Sequence, residues 1–246
     1  MFLGSYQDIV FNGKLLSSYT PGILNLGINH RKRTRFGQLA CPSCLSKDIP
    51  FYRKEWRLFF STGCSKCQCY LIDKCEKCLS PIAFHRLENG YKETILEQPL
   101  YVCFNCQYDL RKSTRFYKKD SLIDTYQRTI DNTINKGYNH IDQYSFSYFL
   151  VLLNLMRLLT TSSKKWNRVK LAVEFFFEVK LKTRKELNPI DELEDRRIKL
   201  TICHQLLDDW PVTFTNVFKQ SNVRLSDFTR ECFLPFWFVK VIKNFN

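Results

Sequence analysis

From about residue 120 onward, apolar residues recur at the three- and four-residue spacing of helices that bury one side. Asp120 or Ser121 is placed to cap a helix running to about Asn135, and Gly137 follows as a left-handed stop. A second helix is predicted over Asp142 to Leu159, where the run Tyr148 to Met156 is apolar except for Asn154. A third is predicted over Lys164 to Val179. Its Val169, Leu171, Val173, Phe175, Phe176, Phe177 and Val179 cover too much circumference for a surface helix, so it is expected to be largely buried. Asp191 opens a fourth, acidic in its first turn as the helix dipole prefers, with Ile198, Ile202 and Leu206 on one face. The tail divides into Phe214 to Gln220, Leu225 to Glu231 and Phe236 to Lys243, the length pattern of a small helix-turn-helix unit.

The first 110 residues show no such period. Five of the eight glycines fall within residues 1–40, which favours loops and short strands. Residues 41–110 carry four Cys-x-x-Cys pairs, Cys41/Cys44, Cys64/Cys67, Cys75/Cys78 and Cys103/Cys106. Four thiolates complete a tetrahedral zinc shell, so eight predict two structural zinc ions with no position left for water. The expected fold is a small α+β arrangement of tandem four-cysteine zinc ribbons, with short strands at Tyr70 to Ile72 and Tyr101 to Val102, followed by an all-α, helix-turn-helix-like region. Three segments follow: a lead over 1–40, the ribbons over 41–110 and a helical domain over 111–246.

Sequential pairing leaves 19 residues between the pairs of the first site and 24 between those of the second. It is favoured over a cross-brace because nearer pairs lose less chain entropy on meeting. Cys69 competes with Cys67 as the partner of Cys64, and knuckle spacing favours Cys67. Cys69, Cys203 and Cys232 read as small buried hydrophobes. His85 and His204 read as structural or surface histidines, and a thioredoxin-like role suits four successive pairs poorly.

Composition adds a partner class. The net charge is +14, which suits a polyanion such as DNA. Residues 41–110 balance nine basic against eight acidic groups, and two zinc–thiolate centres would make that stretch net negative. The excess lies outside it: five against one in 1–40, six against two in 111–130 and eight against two in 164–185. The N-terminus lacks the basic, apolar and small-residue succession of a signal peptide, and no apolar run reaches the ~20 residues of a membrane span. A cytoplasmic location without membrane attachment is expected. With no HExxH, phosphate-binding glycine loop or acid pair beside a histidine, the chain is not expected to be an enzyme.

The string around the cysteines is more specific than their spacing. CPSCLSKDIPFYRKEWRL, then GCSKCQCYLIDKCEKCLSPI, then VCFNCQYDL resemble the TniQ/TnsD family over about residues 38–112. Cys41, Pro42, Cys44, Leu45, Asp48, Tyr52, Arg53, Trp56 and Arg57 match its first element, and Cys75, Cys78, Leu79, Cys103, Cys106, Asp109 and Leu110 continue the match. Cys67 stands where the family usually has histidine, Glu76 stands where it usually has proline, and the family's longer N-terminal segment has no counterpart before Arg31. The tail string LLDDWPVTFTNVF is similar to the family's helical part. The resemblance implies a non-enzymatic adaptor for target selection in DNA transposition, one that engages DNA or a DNA-bound target-finding complex and recruits an AAA+ ATPase regulator. A zinc-ribbon and helix-turn-helix transcriptional regulator is the alternative.

Candidate contacts to DNA or partner are Arg31, Arg33, Arg53, Arg57, Arg111, Lys112, Arg115, Lys164, Lys165, Arg224 and Arg230. On a helix, Arg53 and Arg57 would share a face, with Tyr52 and Trp56 beside it. Those arginines either bond knuckle carbonyls or face phosphate. The second helix of the tail unit would carry Arg224, Ser226, Asp227 and Arg230 toward a major groove, while three short helices closing an ordinary bundle explain the same residues.

Overall fold

The computed structural model describes residues 3–14, 20–26, 35–84, 99–163, 167–230 and 232–245. In chain order the described elements are α1 (Gln7–Val10), α2 (Pro42–Leu45), β1 (Gly63–Cys64), β2 (Cys69–Tyr70), α3 (Leu122–Lys136), α4 (Ser145–Thr160), α5 (Arg168–Phe176), α6 (Glu192–Asp208), α7 (Val212–Lys219), α8 (Leu225–Thr229) and α9 (Phe236–Ile242). The chain is mostly helical, and none of the described helices is long and apolar enough to cross a membrane. It divides into two compact units, Leu16–Ile130 with Met1–Leu3, and Asp131–Asn246 with Gly4–Leu15. The division falls inside α3, not at residue 110, and the lead segment is shared between the two units.

The first unit has little regular structure. β1 and β2 pair antiparallel with Gly63 opposite Tyr70 and Cys64 opposite Cys69. Single bridges join Ala40 to Ile72, Cys69 to Phe116 and Val102 to Asp109. Around them Leu39, Leu45, Leu58 and Phe60 are fully buried, with Trp56 and Leu71 nearly so. Strands this short leave backbone donors to be satisfied by side chains. Gln127 does so from α3, its Oε1 accepting from the N–H groups of Thr62 and Gly63 at 3.0 Å each, while the Tyr126 hydroxyl donates to the Phe60 carbonyl at 2.6 Å. At Gly37 a Cβ would lie 1.9 Å from the Asn25 carbonyl oxygen, so the close approach of the two backbones there requires glycine.

In α3 the apolar face Ile123, Tyr126, Ile130 and Ile134 is buried, and Gly137 ends the helix at φ +77° with its N–H on the Thr133 carbonyl. The start differs from expectation. Ser121 donates to Lys118, and Asp124 accepts from the Asp120 N–H, so neither expected side chain caps the helix. The α4 helix is the centre of the second unit, packed by α1, α5, α6 and α8. Its polar positions are bonded: Asn154 donates to the Phe228 carbonyl at 3.1 Å, and Ser145 to the Ile9 carbonyl at 2.7 Å.

Two helices correct the sequence pattern. The α5 helix stops at Phe176 and buries only the side carrying Val169, Lys170 and Val173, the side met by α4, α7 and α8. Leu171 at 52%, Phe176 at 45% and Phe175 at 88% exposure lie outside that contact, so the expected burial is not realised. In α6 Ile202 and Leu206 are buried as expected but Ile198 is exposed, and the face turned inward also carries Leu193, Arg196, Lys199/Leu200, Cys203 and Leu207. Two cations on the inner face disguise it. Lys199 is accommodated because its Nζ donates to the Lys182 carbonyl at 2.6 Å and pairs with Asp195.

Beyond α6, Phe214, Phe218, Phe228 and Phe238 are fully buried. Phe214 lies 4.7 Å from Phe218, 5.1 Å from Phe238 and 4.9 Å from Trp210, centroid to centroid. Such tilted and edge-on pairs add to the burial of the rings themselves. Phe214→Ala is expected to cost about 3–5 kcal/mol in denaturant unfolding, against about 0.5 kcal/mol or less for Phe175→Ala on the exposed side of α5. In the first unit, Gln127→Ala strands two buried N–H groups and is expected to cost about 2 kcal/mol or more by the same measurement.

Candidate metal centres

Each Cys-x-x-Cys pair closes a tight turn. Cys41 is extended, Pro42 takes the first position of α2, and the Cys44 N–H points at the Cys41 sulphur, 3.4 Å away. In the other three pairs the residue after the second cysteine is left-handed: Gln68 at φ +50°, Leu79 at +58° and Gln107 at +59°. The Leu79 and Gln107 N–H groups bond back to the carbonyls of Cys75 and Cys103 at 2.9 and 3.0 Å. These turns present both sulphurs of a pair on one side.

The turns meet in sequential order. Cys41, Cys44, Cys64 and Cys67 form one group and Cys75, Cys78, Cys103 and Cys106 the other, all four sulphurs of each lying within 4.8 Å of one another. Cys44 Sγ is 3.8 Å from Cys64 and 3.4 Å from Cys67, Cys75 is 3.6 Å from Cys106, and Cys78 is 3.7 Å from Cys103. A disulfide needs about 2.0 Å. A tetrahedral zinc with Zn–S near 2.3 Å sets sulphur–sulphur edges of about 3.8 Å, so the donor set fits two metal ions such as zinc.

The sulphurs also act on one another's ionisation. Hydrogen bonding from the Cys41 thiol, then from Cys64, pulls Cys44 down to about 2, and the same contact with Cys44 pushes Cys41 up. In the second group burial opposes ionisation of Cys78, yet hydrogen bonds from Ser80 hold it at about 6. Four such sulphurs can all be thiolates only beside a cation. A shared core of Ala40, Leu45, Ile82 and Leu110 packs with Cys75 and Cys103 and ties the second centre to the α2 knuckle. Cys69 is fully buried at the start of β2, beside the first group but outside it. Cys203 is buried as expected, whereas Cys232 is only half-buried.

The arginines near the first centre face inward. Lys54–Arg57 is a single 3-10 turn and Arg53 precedes it in extended backbone, so the expected shared helical face does not form. Arg57 is 8% exposed and donates to the Leu24 carbonyl at 3.2 and 2.7 Å. Arg53 lies over Phe51 and Trp56, near Glu55 at 3.5 Å. Burial weakens its charge, but hydrogen bonding to the Cys44 sulphur together with the charges of Cys44, Glu55 and Cys64 outweighs this and raises its pKa, placing a cation beside the first group of sulphurs. Arg111 forks onto Asp109 and lies 3.6 Å over the Tyr101 ring. Lys112, Arg115, Arg224 and Arg230 are exposed, Arg115 pairing with Glu76. Arg31, Arg33, Lys164, Lys165 and His85 lie outside the described residues.

Gln127 escaped sequence reading because a glutamine within a helical period carries no mark of a backbone partner. The Asp109–Arg111 fork is signalled only by an acid and a base two residues apart. No family model, curated protein or solved structure matches the chain.

Elemental analysis of the purified protein is expected to find two zinc ions per chain. Cys41→Ser and Cys103→Ser should each lower that number by one and destabilise the first unit, as loss of binding energy on the order of 10 kcal/mol per site requires. Because protons compete for the same sulphurs, zinc affinity should fall as pH is lowered, read by competition with a chelator.

Proposed function

We propose that the chain is a non-enzymatic targeting adaptor of DNA transposition, carrying two structural zinc ions and linking DNA, or a complex on DNA, to an AAA+ ATPase regulator. The observation that carries this reading is the TniQ-like string and the use the fold makes of it. Pro42 starts the knuckle helix, Leu45, Trp56 and Leu110 are buried, Arg57 bonds the Leu24 carbonyl, and the eight cysteines form the two centres. Many of the shared residues thus build the unit, which supports the reading. The substitution of cysteine for histidine at Cys67 keeps a good zinc donor.

An adaptor also needs surfaces for partners. Leu171, Phe175 and Phe176 on α5 form an exposed apolar strip in a stretch rich in lysine and arginine. The regulator alternative draws less support from the tail. There α8 has five residues, about 7.5 Å of helix, with Phe228 turned into the core.

Affinity purification of the tagged full-length chain from its native cells, with and without nuclease, is expected to retain an AAA+ ATPase identified by mass spectrometry. Its absence under both conditions overturns the adaptor reading.

A further inference from the structure

The basic stretch that follows the last cysteine pair is built onto the first metal unit. The Tyr70 N–H donates to the Arg115 carbonyl at 2.9 Å, the Tyr117 N–H to the Gln68 carbonyl at 2.8 Å, and Cys69 bridges Phe116 antiparallel. Residues 115–117 therefore continue the β1–β2 pair as a third, edge segment, and side chains along it alternate. Tyr117 turns inward, packed edge-on to Tyr70 at 5.2 Å and closing over Gly63. Phe116 turns outward and is 67% exposed.

Exposed cations flank that ring along the chain and occupy the turn beside its strand. Lys66, in the turn joining β1 to β2, and Lys112, Arg115, Lys118 and Lys119 are all exposed. The nearby acids are engaged, Glu76 by Arg115 and Asp120 by Arg128. Lys66, Lys112, Lys118 and Lys119 make no ion pair among the described residues. One exposed aromatic is ordinary, and so is one lysine run. Their conjunction on a strand fixed to a four-cysteine knuckle is different: a flat apolar ring in a field of unpaired positive charge suits a ligand that alternates aromatic faces with anions.

We propose that this edge, Phe116 with Lys66, Lys112, Lys118 and Lys119, binds single-stranded nucleic acid, an unpaired base stacking on Phe116 and phosphates meeting the lysines. A duplex offers the phosphates but keeps its base faces stacked, and a second copy of the chain would bring like charges together. The inference rests on the nucleic-acid part of the proposed function and assigns it to the metal-binding unit.

Fluorescence anisotropy on the zinc-loaded full chain, with labelled oligothymidine, oligouridine and a mixed-sequence duplex, tests it; the first two probes separate DNA from RNA. Phe116→Ala is expected to weaken single-strand binding about tenfold and leave duplex binding unchanged, while Phe116→Trp retains it. Lys118→Ala with Lys119→Ala should lower the salt dependence of single-strand binding by about 1.4 in log–log slope. Zinc content and circular dichroism matching the parent show that each variant is folded. Unchanged single-strand affinity in Phe116→Ala, or equal losses on single strand and duplex, overturns the inference. Retention of the ATPase with no effect of Phe116 leaves the adaptor standing without it; an effect of Phe116 with no ATPase leaves the binding edge standing alone.

Discussion

The gathering of eight sulphurs into two sets of four is the constraint on which the first unit depends. Its named strands are two residues long and α2 has four residues. Elements so short do not persist in water by themselves, since a hairpin needs more pairs and a helix more turns. What fixes them is where their ends are anchored. In the first centre Cys41 stands at the start of α2 and Cys64 ends β1 opposite Cys69 of β2, while in the second Cys75 and Cys103 lie in the core with Leu45 and Leu110. In the zinc-bound form proposed here, coordination replaces the large apolar core that a unit of this kind lacks.

The second unit solves the same problem by ordinary burial. The α4 helix is apolar on almost every side and is surrounded by other helices, and the phenylalanines of α7, α8 and α9 fill the remaining volume. Buried polar groups are bonded within it, the Lys199 ammonium to Asp195 and to the Lys182 carbonyl, and Asn154 to the Phe228 carbonyl. One half thus stands on donor geometry and the other on packing.

Charge follows the tertiary arrangement more than the order of the chain. Residues 41–110 are close to neutral before any metal is counted, and the flanks carry the excess. The segment after Cys106 returns to pair with β2, so its lysines lie along the edge of the metal-binding unit. Arg53 and Arg57, for which the sequence offered either internal carbonyls or phosphate as partners, are used internally, one beside the Cys44 sulphur and one on a backbone carbonyl.

Much was legible in the chain because its signals are local. Cys-x-x-Cys spacing sets the turn that presents two sulphurs, and loop closure favours joining neighbouring pairs, so both four-cysteine groups could be written down from residue numbers. The approximate bounds of α3 and α4 followed from apolar period and from Gly137, and the start of α6 from its acidic first turn. Partner choice was not legible, because it depends on which surfaces meet. Apolar residues all round α5 gave no sign that only one side would be covered. The inner face of α6 was hidden by Arg196 and Lys199, the latter accommodated by Asp195 one turn away and by the Lys182 backbone carbonyl. The outward turn of Phe116 and the inward turn of Tyr117 depend on a strand pairing of two-residue period, in which a shift of one residue exchanges the faces. Local chemistry determined the metal sites and the helices; contact between remote segments decided which aromatics and cations were left for a partner.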